Sequence, residues 1–277
     1  MADLPSLNDL PVRQLKPKAK TKLAKLQKQN TSEVQKLMLD KLATSCLDAT
    51  DAKALMMSPT KPGVLAALGF PDKQAIELPY FDASGKPTGF LRFRYLEDTR
   101  DGFAAKTDAK ALRYIQPKSS ACEIYMPPLV DWQQIQADPQ IEIAITEGEL
   151  KSACCTKHCL PCIGLGGVYS FKSTKKGLPL LPVFNEFKWG GRKVIIAFDS
   201  DAHTNPMVVM ARNELCRTLL ALGALPRIAN ITPDENGGKR GIDDLVLQEG
   251  AEELTAVLAE AEHFATSAAL HQLNCEV

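Results

Sequence analysis

The chain lacks a net charge: 33 Lys and Arg offset 33 Asp and Glu over 277 residues. That balance excludes an evenly basic coat, so any surface for a polyanion must be local. No apolar run is long enough to span a bilayer, and the first apolar residues are interrupted by Asp, Asn, Pro and Lys, unlike a signal peptide. The expectation is a soluble cytoplasmic protein with no membrane partner. A GxxxxGK[ST] phosphate loop is absent from the chain, which excludes a motor of that class. The eight cysteines are clustered rather than spread as a disulfide framework would be, which fits a reducing compartment. Cys154, Cys155, Cys159 and Cys162, with His158 among them, hold one C-x-x-C, but no second C-x-x-C or H-x-x-x-H pair accompanies it. They are read as small packing residues, and no structural zinc is expected.

What is present centres on Ile141-Glu-Ile-Ala-Ile-Thr-Glu-Gly-Glu149, answered by Lys193-Val-Ile-Ile-Ala-Phe-Asp-Ser-Asp201. Each is a short β-branched run that stops at carboxylates, as a buried parallel strand does when it delivers acids to its carboxyl end. Between and after them, Glu149 to Lys157 and Pro206 to Leu222 have helical composition, and Leu160-Pro-Cys-Ile-Gly-Leu reads as another strand entering a glycine turn. Strands alternating with helices imply βαβ units, whose ligands gather beyond the strand ends. Asp199 and Asp201, two apart on extended backbone, point to one side and suit a shared metal edge.

With 45% hydrophobic residues the chain can bury a core and fits one large or two modest domains. Residues 1–60 form a lysine-rich helical arm: Lys16, Lys18, Lys20, Lys22, Lys25 and Lys28 come without an acid, and Leu23, Leu26, Val34, Leu37, Met38 and Leu42 follow at helical spacing. The arm is either a solvated tail or a phosphate contact. Residues 61–135 read as a basic α+β unit, with a short helix at Pro62–Phe70 and a hairpin turning at Asp82-Ala-Ser-Gly85. Leu91, Phe93 and Tyr95 share one side of its second strand, and Arg92 and Arg94 the other. Residues 136–250 hold the acid-bearing strands, and 251–277 a C-terminal amphipathic helix with Leu254, Val257, Leu258, Ala261 and Phe264 on one stripe.

Thr146-Glu147-Gly148, the glycine segment Leu160–Val168, Phe198-Asp199-Ser200-Asp201 and Gly238-Lys-Arg-Gly-Ile-Asp-Asp-Leu245 stand in the order of the motifs of the Toprim domain, and together they resemble the catalytic core of bacterial-type primases. Leu78-Pro-Tyr-Phe-Asp82 through Gly89-Phe90, and Arg113-Tyr114 before Pro117, resemble the basic subdomain that precedes Toprim in those enzymes. The likeness covers residues 60 to 250. It implies an α/β fold, a Toprim-like parallel sheet with flanking helices behind a small basic α+β subdomain. It also implies Mg²⁺ (or Mn²⁺) as cofactor, and single-stranded DNA, nucleoside triphosphates and a separate replicative helicase as partners. On this resemblance Glu147, Asp199 and Asp201 are the catalytic and metal-binding acids, Asp243 and Asp244 outer metal ligands, and Arg92, Arg94, Arg113, Tyr114, Lys151, Lys239 and Arg240 contacts to nucleotide or nucleic acid. Residues 1–45 contain no Cys or His, so the zinc module of those primases is not expected there.

One position departs from the pattern. Where these primases place an acid one turn after the first glutamate, this chain has Lys151; Thr-Glu-Gly-Glu-Leu-Lys-Ser-Ala is closer to Toprim relatives in phage, plasmid and mobile-element replication. The implied activity is synthesis of short primers on single-stranded DNA. A Toprim nuclease and a non-catalytic module binding single-stranded DNA or a helicase are the alternatives. Each motif also has a plain structural reading: Glu147 and Glu149 opening a helix, Asp199 to Asp201 a turn, Asp243 and Asp244 a helix cap, Arg92 and Arg94 solvent-facing strand residues, and Gly164, Gly166 and Gly167 a tight turn.

Overall fold

A computed structural model describes residues 33–96, 113–118 and 120–264. The lysines of the expected arm, Lys16 to Lys28, lie outside the described residues, as does most of the segment joining the hairpin to Arg113. From residue 33 the chain is anchored. Helix α1 (33–43) buries Met38 and Leu42, four residues apart and hence on one face, against Ile76, Leu78 and Tyr80. Helix α2 (Ala49–Ala54) follows, with Asp48 and Asp51 closing a capping box at its start. Lys157 of the α/β unit bonds both acids, at 3.2 and 2.6 Å.

The first sheet is antiparallel, in the order β1 (Ser58–Pro59), β2 (Ala75–Phe81), β3 (Pro87–Tyr95), β4 (Tyr114–Ile115). Helix α3 (Val64–Ala67) lies between β1 and β2. The expected alternation holds along β3: Phe93 and Tyr95 are buried with Leu65, Ala75 and Ile115, with Leu91 packed against them, while Arg92 and Arg94 lie over Tyr114. The β2–β3 hairpin turns at Asp82–Gly85, where Asp82 Oδ1 accepts from the Ser84 and Lys86 amides and Gly85 takes φ +75°.

The second sheet has the order β10 (Glu262–His263), β9 (Leu225–Ile228), β8 (Lys193–Ile196), β6 (Ile143–Glu147), β7 (Cys162–Leu165), β5 (Ile124–Tyr125). Its four inner strands are parallel and both outer ones antiparallel. Strands β6 and β7 and the Val194–Ile196 part of β8 are buried on both faces, which is why they read as unbroken apolar runs, whereas β9 exposes Leu225. Ile143, Ile145, Val194 and Ile196 face one layer with helix α6 (Pro206–Ala221). Ala144, Ile195 and Ala197 face the other, with α5 (Glu149–His158), α7 (Ile242–Glu249) and α8 (Ala251–Ala259). Cys154, Cys155 and Cys162 belong to that second layer as small apolar side chains. Helix α4 (Trp132–Ala137) enters β6 and buries Trp132 and Ile135.

Of the C-terminal segment set apart in the sequence, 251–259 is α8, and β10 then returns to the sheet beside β9. The two sheets share a core in which Tyr80 and Phe81 of β2 meet Tyr125 of β5 and Leu150 and Ala153 of α5. Among the described residues no helix is long and apolar enough to cross a membrane.

Candidate active site

Strand order fixes where the acids go. From β6 the chain crosses through α5 to β7 on one side, whereas β8 lies on the other side of β6, so the order reverses between β6 and β8. Ligands of open α/β sheets bind beyond the carboxyl ends at such a point. Glu147 ends β6, and Asp199 lies three residues past the end of β8. The two ends are tied together by the Thr146 hydroxyl donating to Ala197 O (2.7 Å) and the Ala197 amide donating to Ile145 O (2.9 Å).

A second tie brings in the glycine-rich loop. The Ser200 amide donates to Arg240 O (2.9 Å) and the Arg240 amide donates to Ser200 Oγ (3.0 Å). With Ser200 clamped, Lys239 is carried over the acids on either side of it. Its Nζ lies 3.0 Å from Asp199 Oδ2, 3.0 Å from Asp201 Oδ2 and 3.9 Å from Glu147 Oε2. Burial alone would push the Lys239 pKa down, but Asp199, Asp201 and Glu147 together carry it well above the ordinary lysine value. Lys151, on the first turn of α5, donates to Asp199 Oδ1 at 2.5 Å. It too is lowered by burial and carried back up chiefly by Asp199. A cation near a helix amino end is disfavoured by the helix dipole, and this pairing offsets that cost. Gly241 leaves the room: a Cβ there would stand 2.8 Å from Asp199 Oδ1 and 2.9 Å from Lys151 Cε.

The expected outer acids each have a partner within the fold. Asp244 Oδ2 accepts the Gly241 amide (2.9 Å), closing the amino end of α7. Asp243 is buried, accepts the Ser45 hydroxyl at Oδ2 (2.7 Å), and has its pKa raised by burial. The Arg240 guanidinium bonds Thr232 O, Thr232 Oγ1 and Glu249 on α7, so it clamps the loop to the helix. Arg92 donates to Glu149 Oε1 at 2.6 Å, and Tyr80 OH donates to the same oxygen at 2.6 Å. Its guanidinium passes Gly166 so closely that a Cβ there would meet Nη1 at 2.7 Å.

Arg94 and Tyr114 are direct cross-strand partners, with Arg94 Nε donating to Tyr114 OH (3.1 Å). Both Arg92 and Arg94 lie over the Tyr114 ring, at 5.3 and 5.5 Å from its centre. Arg113, beside Tyr114, is exposed. These groups and the acids face one another across a cleft of about 780 Å³ between the two sheets.

Lys41 of α1 also lines this cleft, and nothing in the sequence had marked it. It lies between Met38 and Leu42, so the apolar face that docks α1 also turns Lys41 inward. Its pKa is lowered, by burial first and then by Arg94, with Arg113 adding to the effect. Among the described residues Lys41 bonds Thr44 and Arg94 bonds Tyr114 and Tyr95 O; neither has a carboxylate in ion-pair contact. Asp243 and Asp244 oppose the lowering at Lys41, and cations gathered about a cleft in this way suit an oligoanion.

For a divalent ion the donor chemistry is right and the present placement is not. Three carboxylates are the hard oxygen ligands that Mg²⁺ or Mn²⁺ takes, and Asp201 Oδ1 is buried without a hydrogen-bond partner among the described residues. Yet no group of three acidic, Cys or His residues there is spaced to hold an ion, and Lys239 stands among the oxygens. The donor set suits a divalent ion, which would need Lys239 to leave and the carboxylates to draw together.

Comparison with known proteins bears on the fold. A family described only as a domain of unknown function, DUF3854, matches residues 131–253, which hold the acid-bearing unit. An uncharacterized protein of Picosynechococcus sp. is 30% identical over 134 residues, 44% of this chain and 13% of that protein. Among solved structures, the RNA polymerase domain of Mycobacterium tuberculosis primase DnaG matches with TM-score 0.56 at 15% identity, over 82% of this chain and 76% of that one. The fold is that of the primase RNA polymerase domain. The Aquifex aeolicus primase, zinc-binding and RNA polymerase domains together, matches with TM-score 0.53 at 12% identity, over 82% of this chain and 56% of that one. This chain thus spans about half of that primase structure and a small part of the Picosynechococcus protein. The M. tuberculosis domain in complex with double-stranded DNA matches with TM-score 0.55 at 15% identity, over 82% of this chain and 74% of that one.

Proposed function

We propose that this chain is a Toprim primase-like nucleotidyltransferase that makes short primers on single-stranded DNA from nucleoside triphosphates, in the replication of a phage, plasmid or other mobile element. The observation that carries the reading is the two-sided cleft. Glu147 and Asp199 line it at the sheet's switch point, with Asp201 joined to them through Lys239, and Lys41, Arg94, Arg113 and Tyr114 line it as well. A nuclease needs an acid site and a grip on one strand. Primer synthesis needs a second grip as well, so that a 3′-hydroxyl lies in line with an α-phosphate. The Lys41, Arg94 and Arg113 group about the cleft suits the phosphates of a triphosphate and a template. The Tyr114 ring, held under two guanidiniums, fixes the position of both.

When bound, Mg²⁺ would neutralise charge on the phosphoryl group in the transition state. Glu147, the most accessible of the three acids, is placed to take a proton from the attacking hydroxyl. The Arg92, Glu149 and Tyr80 joint keeps the two walls at a fixed distance. The DNA-bound M. tuberculosis relative supports a nucleic-acid ligand for this fold.

The test is one incubation of the pure chain with single-stranded DNA, labelled nucleoside triphosphates and Mg²⁺. Labelled oligonucleotides are expected, and they should vanish in Asp199→Asn. Degradation of the DNA without any labelled product would replace this reading with the nuclease.

A further inference from the structure

The two lysines among the acids are held differently. Lys151 is rooted in α5, its methylenes pressed against Gly241 and its ammonium fixed on Asp199 Oδ1. Lys239 comes from a loop that contains Gly237, at φ +76°, and Gly238, and 45% of its side chain is exposed. Its ammonium stands between Asp199, Asp201 and Glu147, among the same oxygens a divalent ion would use. Three carboxylates and two ammoniums leave one negative charge. A divalent ion entering beside both lysines would make the site positive and meet two cations next to its own ligands. An ion that displaces Lys239 leaves the carboxylates balanced by Lys151 and the ion, and it reaches the unsatisfied Asp201 Oδ1.

We propose that Lys239 is the exchangeable occupant of the metal position. One divalent ion binds by displacing its ammonium, and Lys151 stays on Asp199 and holds the site to that single ion. The released Lys239 remains at the cleft rim, free to meet a phosphate group only when metal is in place. Metal entry and phosphate grip are thereby coupled through one side chain. The proposal rests on the acids being a metal site, and it does not depend on primer synthesis.

The test uses the full chain with Mn²⁺ alone, without nucleotide or DNA, so that failure to make primers has no bearing on it. Counting free Mn²⁺ by electron paramagnetic resonance should show one ion bound per wild-type chain. Lys239→Gln should bind one ion about tenfold more tightly, since a competitor that occupies most molecules lowers apparent affinity by the fraction left open. In the wild type, acylation of Lys239 followed by mass spectrometry should rise as Mn²⁺ saturates while Lys151 stays protected. This second readout needs no variant to fold. Two ions per wild-type chain, no gain in affinity in folded Lys239→Gln, or continued protection of Lys239 at saturating Mn²⁺ would each overturn the exchange. If no ion binds either protein, Lys239 is a permanent bridge and the proposal is wrong.

Discussion

Asp199 and Asp201 lie two residues apart, yet they bear different loads. Asp199 is 4% exposed and serves both lysines, one at each oxygen. Asp201 is more open, and among the described residues its side chain bonds Lys239, itself half in solvent. Asp199→Asn strands Lys151 in a covered position without its charge partner, so it should lower stability by about 3 kcal/mol. Asp201→Asn should cost less, about 1 kcal/mol, because the lysine it releases is half in solvent. Both should lose Mn²⁺ binding. Urea midpoints read at unchanged slope check the first contrast, and equal costs would mean that Lys151 finds another partner. Lys41 gives a pH test. Its pKa is lowered in the fold by burial and by Arg94. Between that lowered value and the ordinary 10.5, the unfolded chain binds the proton more than the native one, so stability rises with pH across the window. Relative to Lys41→Met, the wild type should therefore gain stability as pH is raised toward 10.5 and lose that gain on the way down. A flat difference would mean that Lys41 is as free as in the unfolded chain.

At the scale of elements, the decisive joint is between β3 and α5, where Arg92 meets Glu149 with side chains 11% and 1% exposed. The resemblance counted Arg92 among the nucleic-acid contacts and alternation put it on the face opposite Phe93, but alternation gives a face without saying what covers it. Its partner stands 57 residues away and opens helix α5, so no local pattern linked them. Arg92→Met leaves Glu149 buried with only Tyr80 as donor and should cost about 3–5 kcal/mol. If Arg92 holds the joint rather than a phosphate, the folded variant should keep the wild-type salt dependence of single-stranded DNA binding; a shallower slope would return Arg92 to the phosphate contacts. The same distinction sorts what was legible. β6, β8, α5 and α6 could be read because their apolar periods run four residues or more and stop at Glu, Asp or Gly. β4, β5 and β10 are two residues long and leave no period, and β9, Leu-Pro-Arg-Ile, carries a proline and an arginine. Glu147 and Asp199 were legible from strand ends and Asp201 was not, since it lies in the 3-10 turn Ser200–His203 rather than on extended backbone; Lys41 and the Ser45–Asp243 bond, 198 residues apart in sequence, follow only from the docking of α1 and the turn after it.

For the whole molecule, zero net charge makes the cleft the place to look for polyanion binding, since no general field supplies it. Arg113 is the member of the cationic wall with the least structural duty. It is exposed and outside the Arg92 joint, and its neighbour Tyr114 is held by Arg94 without it. Its removal should therefore leave the fold intact, with a urea midpoint within about 0.5 kcal/mol of wild type. Grip on a DNA strand is shared among several cations, so Arg113→Ala should weaken single-stranded DNA binding only modestly and reduce its salt slope by about 1, the share of one phosphate contact. Placement of a reacting triphosphate is not shared in that way. A shift of about 1 Å at the α-phosphate can cost about 10²-fold in rate, so primer synthesis should fall by roughly that factor at saturating DNA. Salt titrations of binding beside initial rates at fixed Mg²⁺ separate the two. If rate and affinity fall together, Arg113 only holds the strand, and the second grip that distinguishes primer synthesis from cleavage must be sought in Lys41 and Arg94.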